Sequence, residues 1–353
     1  MNIKFNREIS RVHDAMEGLV LSYKENYKQI YKDYNFQVSK AAEEALKLIN
    51  DRVVFDIPGS DILFGSETEA AVTFARSRFI PADVTIDSFV DYLMGLRDEE
   101  IKLILLANLN SRGQKKNYEE LLTIARDDSK ILDFIRETDL PAAIKWEAME
   151  FLRDVQHVMT GFIGLVKKYI PVYKKLLSQH RKLIETFEQK IESGICAEGK
   201  AWFSKIVRDS INLDAEDIIV GSLFFRSRSL ACISAGKILY VFVGLDYEET
   251  VRQFLGEGDP ALIIFKNLSD KTRLHILNLL KEKDLYGQEI AEKVGITLAT
   301  VSYHMNYLLT SNLVRLEKVG QKGYYSLQKN TLRKCVDYLN QNFNLNDKKG
   351  ENE

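Results

Sequence analysis

At 353 residues the chain is too long for one small module and suggests two or three domains. Its 45% hydrophobic and 28% charged residues are ordinary for a soluble protein. No apolar run approaches the roughly 18 residues of a membrane span, so no membrane partner is expected. The formal net charge of -2 alone argues against a nucleic-acid partner, but its distribution argues otherwise. Residues 260–345 carry 12 Lys and Arg against 7 Asp and Glu, which leaves 37 against 44 elsewhere. A basic segment is attached to an acidic body. The opening stretch MNIKFNREISRVHD has no apolar core of a signal peptide, and Cys196, Cys232 and Cys335 are widely separated and odd in number. Both features lead us to expect a cytoplasmic protein.

Residues 1–7 read as a short strand. From Glu8 to Tyr34 a helical pattern puts Val12, Met16, Leu19 and Tyr23 on one face, and Phe36 to Ile49 reads as a second helix. Pro58-Gly59-Ser60 and Gly65-Ser66 punctuate a loop around the apolar segment Asp61 to Phe64. Glu67 to Phe79 and Ser88 to Leu109 are again helical, and Asn110 to Asn117 is an exposed connection. Ile144, Ala148, Phe151, Val155, Val158, Phe162, Leu165, Tyr169, Val172 and Leu176 then alternate steps of four and three. This heptad-like seam would span about 50 Å as one helix, with Pro171 expected to kink or split it near Lys167 to Ile170. It serves as a dimer interface or lever, or as the core helix of a helical domain, and the core reading is preferred. A polar helix, Leu177 to Ser193, continues it. Asp217 to Arg226, Ser229 to Ser234 and Lys237 to Val243 change to β-type composition, with Ala235-Gly236 as a turn.

The C-terminal stretch is denser in signals. Ser269 or Asp270 can cap a helix whose apolar face is Leu274, Ile276, Leu277 and Leu280, and Tyr286 to Val294 forms a second helix with Ile290 and Val294 inward. Gly295 sits where a helix-turn-helix needs its turn. Thr297 is a plausible N-cap for a third helix with Val301, Met305 and Leu308 on one side and Ala299, Ser302, Tyr303 and Asn306 opposite. Asn312 suits a left-handed cap, and Leu313 to Val319 and Tyr324 to Leu327 form a hairpin around Gly320, Gln321, Lys322 and Gly323. Helix, helix, turn, helix and hairpin read as a winged helix.

The segments LSDKTRLHILNLL, IAEKVGI, ATVSYHMNYLLTSNLV and GYYSL together resemble the ArsR-type winged helix-turn-helix transcriptional regulators, over roughly residues 260 to 342. Lys271 stands where that family usually has Pro, a mild change because Pro there is helpful but not required. Metal-sensing members carry cysteines in the stretch that here reads LYGQEIA, and the final helix contains Asp337 but no histidine. The resemblance therefore implies DNA binding without metal sensing. His13, His157, His180 and His275 stand alone, so no metal and no cofactor is expected, and His304 reads as a semi-buried structural residue.

By the resemblance, the helix Thr297 to Leu309 enters the major groove of double-stranded DNA. Thr297, Thr300 and Ser302 would hydrogen-bond phosphates, and Ala299, Tyr303 and Asn306 would meet base edges. Lys318, Lys322 and Arg273 would neutralise phosphates. A homodimer is expected through Leu262 to Leu268 and Leu332, Val336, Leu339 and Phe343, unless both sets only complete the local core.

The fold class expected is mainly α with small β elements. Residues 1–255 would form a helical effector or dimerisation domain ending in a small antiparallel sheet, a β-hairpin at about 217–244. Residues 256–345 would form the winged helix-turn-helix, with Gly256 to Pro260 as linker and 346–353 as a disordered tail. The function expected is a sequence-specific transcriptional regulator, a repressor by analogy, controlled by a small-molecule effector and not an enzyme. The alternatives are a winged helix used as a protein-interaction scaffold and an N-terminal enzyme fused to a DNA-binding domain.

Overall fold

The computed structural model describes residues 2–28, 39–76, 79–110, 116–207, 215–235, 238–255, 260–296, 298–319, 322–343 and 345. The turn expected at Ala235-Gly236, most of the linker before Pro260, and the tail fall largely outside them. The chain forms two compact units. One runs from the N-terminus to Trp202 and resumes after residue 214 as far as Tyr247; the other comprises residues from Glu248 onward together with the segment beginning at Phe203. The division falls between Tyr247 and Glu248, within the first turn of the helix Tyr247–Leu255.

The first unit is built around the helix Arg7–Ser22, opened by Asn6, whose side chain accepts from the Ile9 N–H at 3.1 Å. The expected face, Val12, Met16, Leu19 and Tyr23, is buried, but so are Ser10, His13, Asp14 and Glu17. From Ile9 onward the helix has no exposed residue, because β2 (Asp217–Leu223) packs on one flank and the helices Lys40–Arg52 and Ala70–Phe74 on others.

The sheet differs from the expected antiparallel one. With β1 (Asn2–Phe5), β3 (Leu230–Ala235) and β4 (Ile238–Gly244), the strand order is β1-β2-β4-β3. The β3–β4 hairpin is antiparallel as expected, but β1 pairs with β2 and β2 with β4 in parallel. Ile218 to Leu223 and Leu239 to Gly244 are buried without alternation, the pattern of strands covered on both faces. Gly221 permits the close approach of sheet to helix: a Cβ there would lie 2.5 Å from the Phe242 ring and 2.7 Å from Ser10 Oγ.

The two buried carboxylates of the central helix, Asp14 and Glu17, are held by the segment after β2. Asp14 Oδ1 accepts from the Phe224 and Phe225 N–H groups at 2.8 and 3.0 Å, and Tyr173 Oη donates to Oδ2 at 3.2 Å. Arg226 donates to Glu17, and to Glu69 at 2.9 Å. Burial pushes the Asp14 carboxyl up to about 7, outweighing the hydrogen bonds and the nearby Arg11, which favour its charged form.

The seam from Ile144 to Leu176 is divided at Asp154, not at Pro171. The helix Ala142–Arg153 ends there, and Asp154 caps the helix Val155–Gln179 by accepting from the His157 N–H at 3.1 Å. That helix continues through Pro171. An internal proline costs roughly 3 kcal/mol, whereas each large buried side chain returns about 1.5–3 kcal/mol, and Tyr169, Ile170, Tyr173 and Leu176 flank it in the core. Among the seam residues Phe151, Val158, Phe162 and Leu165 are buried, in line with the core reading. The apolar segment Asp61 to Phe64 is the body of a short helix, Ser60–Phe64, and Arg181–Glu198 is a separate helix beginning after His180.

The second unit is a winged helix with its own core. Helices Pro260–Leu268, Lys271–Glu282, Gly287–Val294 and Leu298–Thr310 precede β6 (Val314–Val319), β7 (Lys322–Leu327) and the helix Lys329–Phe343. A two-residue strand that the sequence did not separate from its neighbouring helix, β5 (Leu285–Tyr286), completes the antiparallel order β5-β7-β6. Ile276, Leu277, Leu280, Ile290 and Val314 fill its core, but Leu274 is 43% exposed and lies off the face assigned to it.

The raised Asp14 pKa fixes the sign of a pH effect. A carboxyl held near 7 when folded and near 4 when unfolded favours folding most below the lower value, and that favour is lost as pH rises from about 4 to about 7. Asp14→Asn should therefore flatten the decline in the urea midpoint of the first unit between pH 5 and 7.5. A variant with the wild-type slope would contradict this account.

Candidate nucleic-acid interface

The helix-turn-helix is set by local chemistry. Asp270 caps the helix Lys271–Glu282, accepting from the Arg273 N–H at 2.9 Å. Gly295 ends the helix Gly287–Val294 in a left-handed conformation, φ 76° and ψ 34°, with its N–H bonded to Ala291 O at 2.9 Å. The helix Leu298–Thr310 then seats Val301, Met305 and Leu308 at 1% exposure or less, which turns Tyr303 and Asn306 away from the core. Asn312 adopts φ 55° and directs the chain into the wing, where Leu313 N–H returns to Leu308 O at 2.9 Å.

The expected site residues are placed unevenly. Tyr303, Asn306 and Thr300 are half-buried on the helix, and Ala299 and Ser302 lie on the same helix. Lys318 and Lys322 lie on β6 and β7 beside the wing turn, opposite Gly323 and Val319 respectively. Thr297 lies outside the described residues, as do the side chains of Ala299, Ser302, Lys318 and Lys322.

Arg273 is placed otherwise than expected. The sequence placed it at the surface as a phosphate contact, yet it is 9% exposed. Its guanidinium carbon lies 4.3 Å from the centroid of the Tyr307 ring and its Nη2 lies 3.4 Å from Asp270 Oδ2. A guanidinium stacked over an aromatic face is worth roughly 0.5–2 kcal/mol, and the flat cation suits it better than an ammonium would. Helix propensity and charge patterning gave no sign of this. The signal available was Arg273 three residues after the cap and a Tyr303/Tyr307 pair at helical spacing.

Tyr307, which sequence reasoning missed, connects the cluster. Tyr303 Oη lies 3.3 Å from Tyr307 Oη, their rings meet edge to face at 5.1 Å, and Tyr303 meets His304 edge to face at 5.2 Å. His304 Nδ1 lies 3.8 Å from Asp270 Oδ1. Burial lowers the His304 pKa, with Asp270 acting the other way, and burial together with the Tyr303 hydroxyl pushes Tyr307 up to about 12. Both groups are therefore neutral near pH 7. His304 is 9% exposed, the structural position expected of it. Among the described residues no three His, Cys, Asp or Glu side chains come together as a metal site would require.

Residues 270–315 match the family model described as bacterial regulatory protein, arsR family. The chain is similar to the transcriptional repressor SdpR of Bacillus subtilis (strain 168), 36% identical over 76 residues that make up 22% of this chain and 84% of SdpR. It is also similar to an arsenical resistance operon repressor of Staphylococcus xylosus, 38% identical over 82 residues, 23% of this chain and 75% of that protein. The solved structure of HlyU from Vibrio cholerae N16961 aligns at 23% identity over 24% of this chain and 91% of its own, with a TM-score of 0.21.

The left-handed turn into the wing yields one expectation. A β-branched residue is strained there by about 1–2 kcal/mol, so Asn312→Val should lower the stability of the second unit by that amount in thermal unfolding. Asn312→Gly should stay within about 0.5–1 kcal/mol of the parent. Equal losses in the two variants would contradict the left-handed requirement.

Proposed function

The chain belongs to the arsR family of bacterial regulatory proteins through its C-terminal segment, and from that premise we propose that it is a sequence-specific DNA-binding transcriptional repressor. The observation that carries the reading is the helix Leu298–Thr310, whose apolar side is sealed against its own core while Tyr303 and Asn306 sit on the other. In the major groove, Asn306 offers an amide that pairs with adenine, Tyr303 an aromatic edge and a hydroxyl, and Ala299 a methyl contact. Thr297, Thr300 and Ser302 hydrogen-bond phosphates, and Lys318 and Lys322 bring the wing to the adjacent backbone. The relatives named above as repressors support the sign of the effect.

A single helix reads only a few base pairs, so the regulator acts as a homodimer that presents two helices about 34 Å apart. The first and last helices of the winged helix supply the surface: Leu262, Val336 and Phe343 are 54%, 54% and 65% exposed. Large apolar groups exposed together on two packed helices are what a second copy would cover. The N-terminal unit receives a small-molecule effector, whose binding changes the spacing of the two reading helices and thereby the DNA affinity.

Selection of labelled genomic fragments by the full chain at moderate salt tests the reading. A preferred site is expected, and Asn306→Ala should weaken it by about 1–3 kcal/mol. Fragments bound no better than random duplex would sink the proposal. Val336→Asp should shift the sedimentation of the DNA-free chain from dimer to monomer. An unshifted dimer would move the interface elsewhere.

A further inference from the structure

Asp270, Arg273, Tyr307, Tyr303 and His304 form a closed ring of neighbouring side chains contributed by two helices. Starting at the cap, Asp270 meets Arg273 at 3.4 Å, Arg273 lies 4.3 Å from the Tyr307 ring, and Tyr307 meets the Tyr303 ring at 5.1 Å. Tyr303 then meets His304 at 5.2 Å, and His304 returns to Asp270 at 3.8 Å. From this geometry we infer that Arg273 and Tyr307 are positioning residues for DNA recognition. Their stack fixes the rotation of the helix Leu298–Thr310 about its own axis, and Tyr307 braces the Tyr303 side chain that meets the bases. The inference rests on the DNA-binding reading above and adds the residues that set its specificity.

Aliphatic packing does not suffice for this task. Val301, Met305 and Leu308 hold the helix against the core, but burial of apolar area is non-directional and tolerates a small roll. A guanidinium stacked on a ring and two rings meeting edge to face are directional, so a roll breaks them. The ring also sits at one flank of the reading face, because Tyr303 and Tyr307 are one helical turn apart. Among the described residues the Arg273 Nε has no hydrogen-bond partner, while the guanidinium meets the Tyr307 ring and Asp270. A cation so enclosed is unsuited to neutralising phosphate, and its value lies in the orientation it imposes.

The test is a double-mutant cycle on the site selected by the wild-type chain. Tyr307→Phe keeps the ring under Arg273 and removes only the hydroxyl that meets Tyr303. It should lower affinity for the selected site on the order of fivefold with random-duplex affinity unchanged. In a Tyr303→Phe background the same change should have no further effect, because Tyr307 acts through Tyr303. Arg273→Lys keeps the charge and loses the flat stack, and should reduce the ratio of selected-site to random-duplex affinity with random-duplex affinity retained. Additive effects of the two tyrosine changes, or equal losses on selected and random DNA, would overturn the positioning role. Variants as selective as the wild type would also overturn it while leaving the DNA-binding reading intact. A wild-type chain with no preferred site would bring down both.

Discussion

The C-terminal unit depends on the burial of one narrow stripe, Val301, Met305 and Leu308, on a helix of 13 residues. Removing three large apolar groups from water is worth several kcal/mol, on the order of 1.5–3 each, which is far more than the helix could gain from propensity alone. Once that stripe is committed inward, the 3.6-residue repeat leaves no choice about what lies on the other side. Val301 and Met305 inside require Tyr303 and Asn306 toward the outside, and the wing follows because Asn312 at φ 55° turns the chain back past Leu308. Core and surface of this unit are thus set by the same few residues.

The N-terminal unit meets the opposite constraint. From Ile9 onward its central helix has no exposed residue, so the carboxylates it buries must be satisfied from within. Asp14 and Glu17 do this by holding the segment that leaves β2, through two backbone amides and through Arg226. An unpartnered carboxylate there would cost several kcal/mol, so these contacts fix where the segment from Phe224 to Arg226 runs. The connection in turn lets β4 lie between β2 and β3, which makes a mixed sheet out of what read as consecutive antiparallel strands.

What the sequence made legible follows the range of the interactions involved. The stripe of the reading helix, the left-handed Asn312, the Gly295 turn and the three longer strands of the N-terminal sheet rest on local periodicity and backbone preference, and they are found where expected. The parallel pairing of β1 with β2 joins residues more than two hundred positions apart and has no local mark beyond unbroken apolar runs. Pro171 misled because a local penalty was weighed without the burial that overrides it. The short strand β5 was absorbed into a helix because two residues carry no period. In the candidate interface, Arg273 was read by charge alone, and charge does not say whether a guanidinium faces water or a ring.

That last misreading changes how the interface must work. With Arg273 turned onto Tyr307, the interface proposed above would have one cation fewer for phosphate. The segment 260–345 remains basic, and Lys318 and Lys322 lie on the two paired wing strands at the far end of the motif. Phosphate attraction is long-ranged and indifferent to sequence, whereas an aromatic ring or an amide discriminates only when held within a fraction of an ångström. On the reading proposed above the two tasks separate: Lys318 and Lys322 on the wing strands would supply attraction, and the Asp270–Arg273–Tyr307 contacts would supply the fixed geometry with which Tyr303 and Asn306 meet the bases.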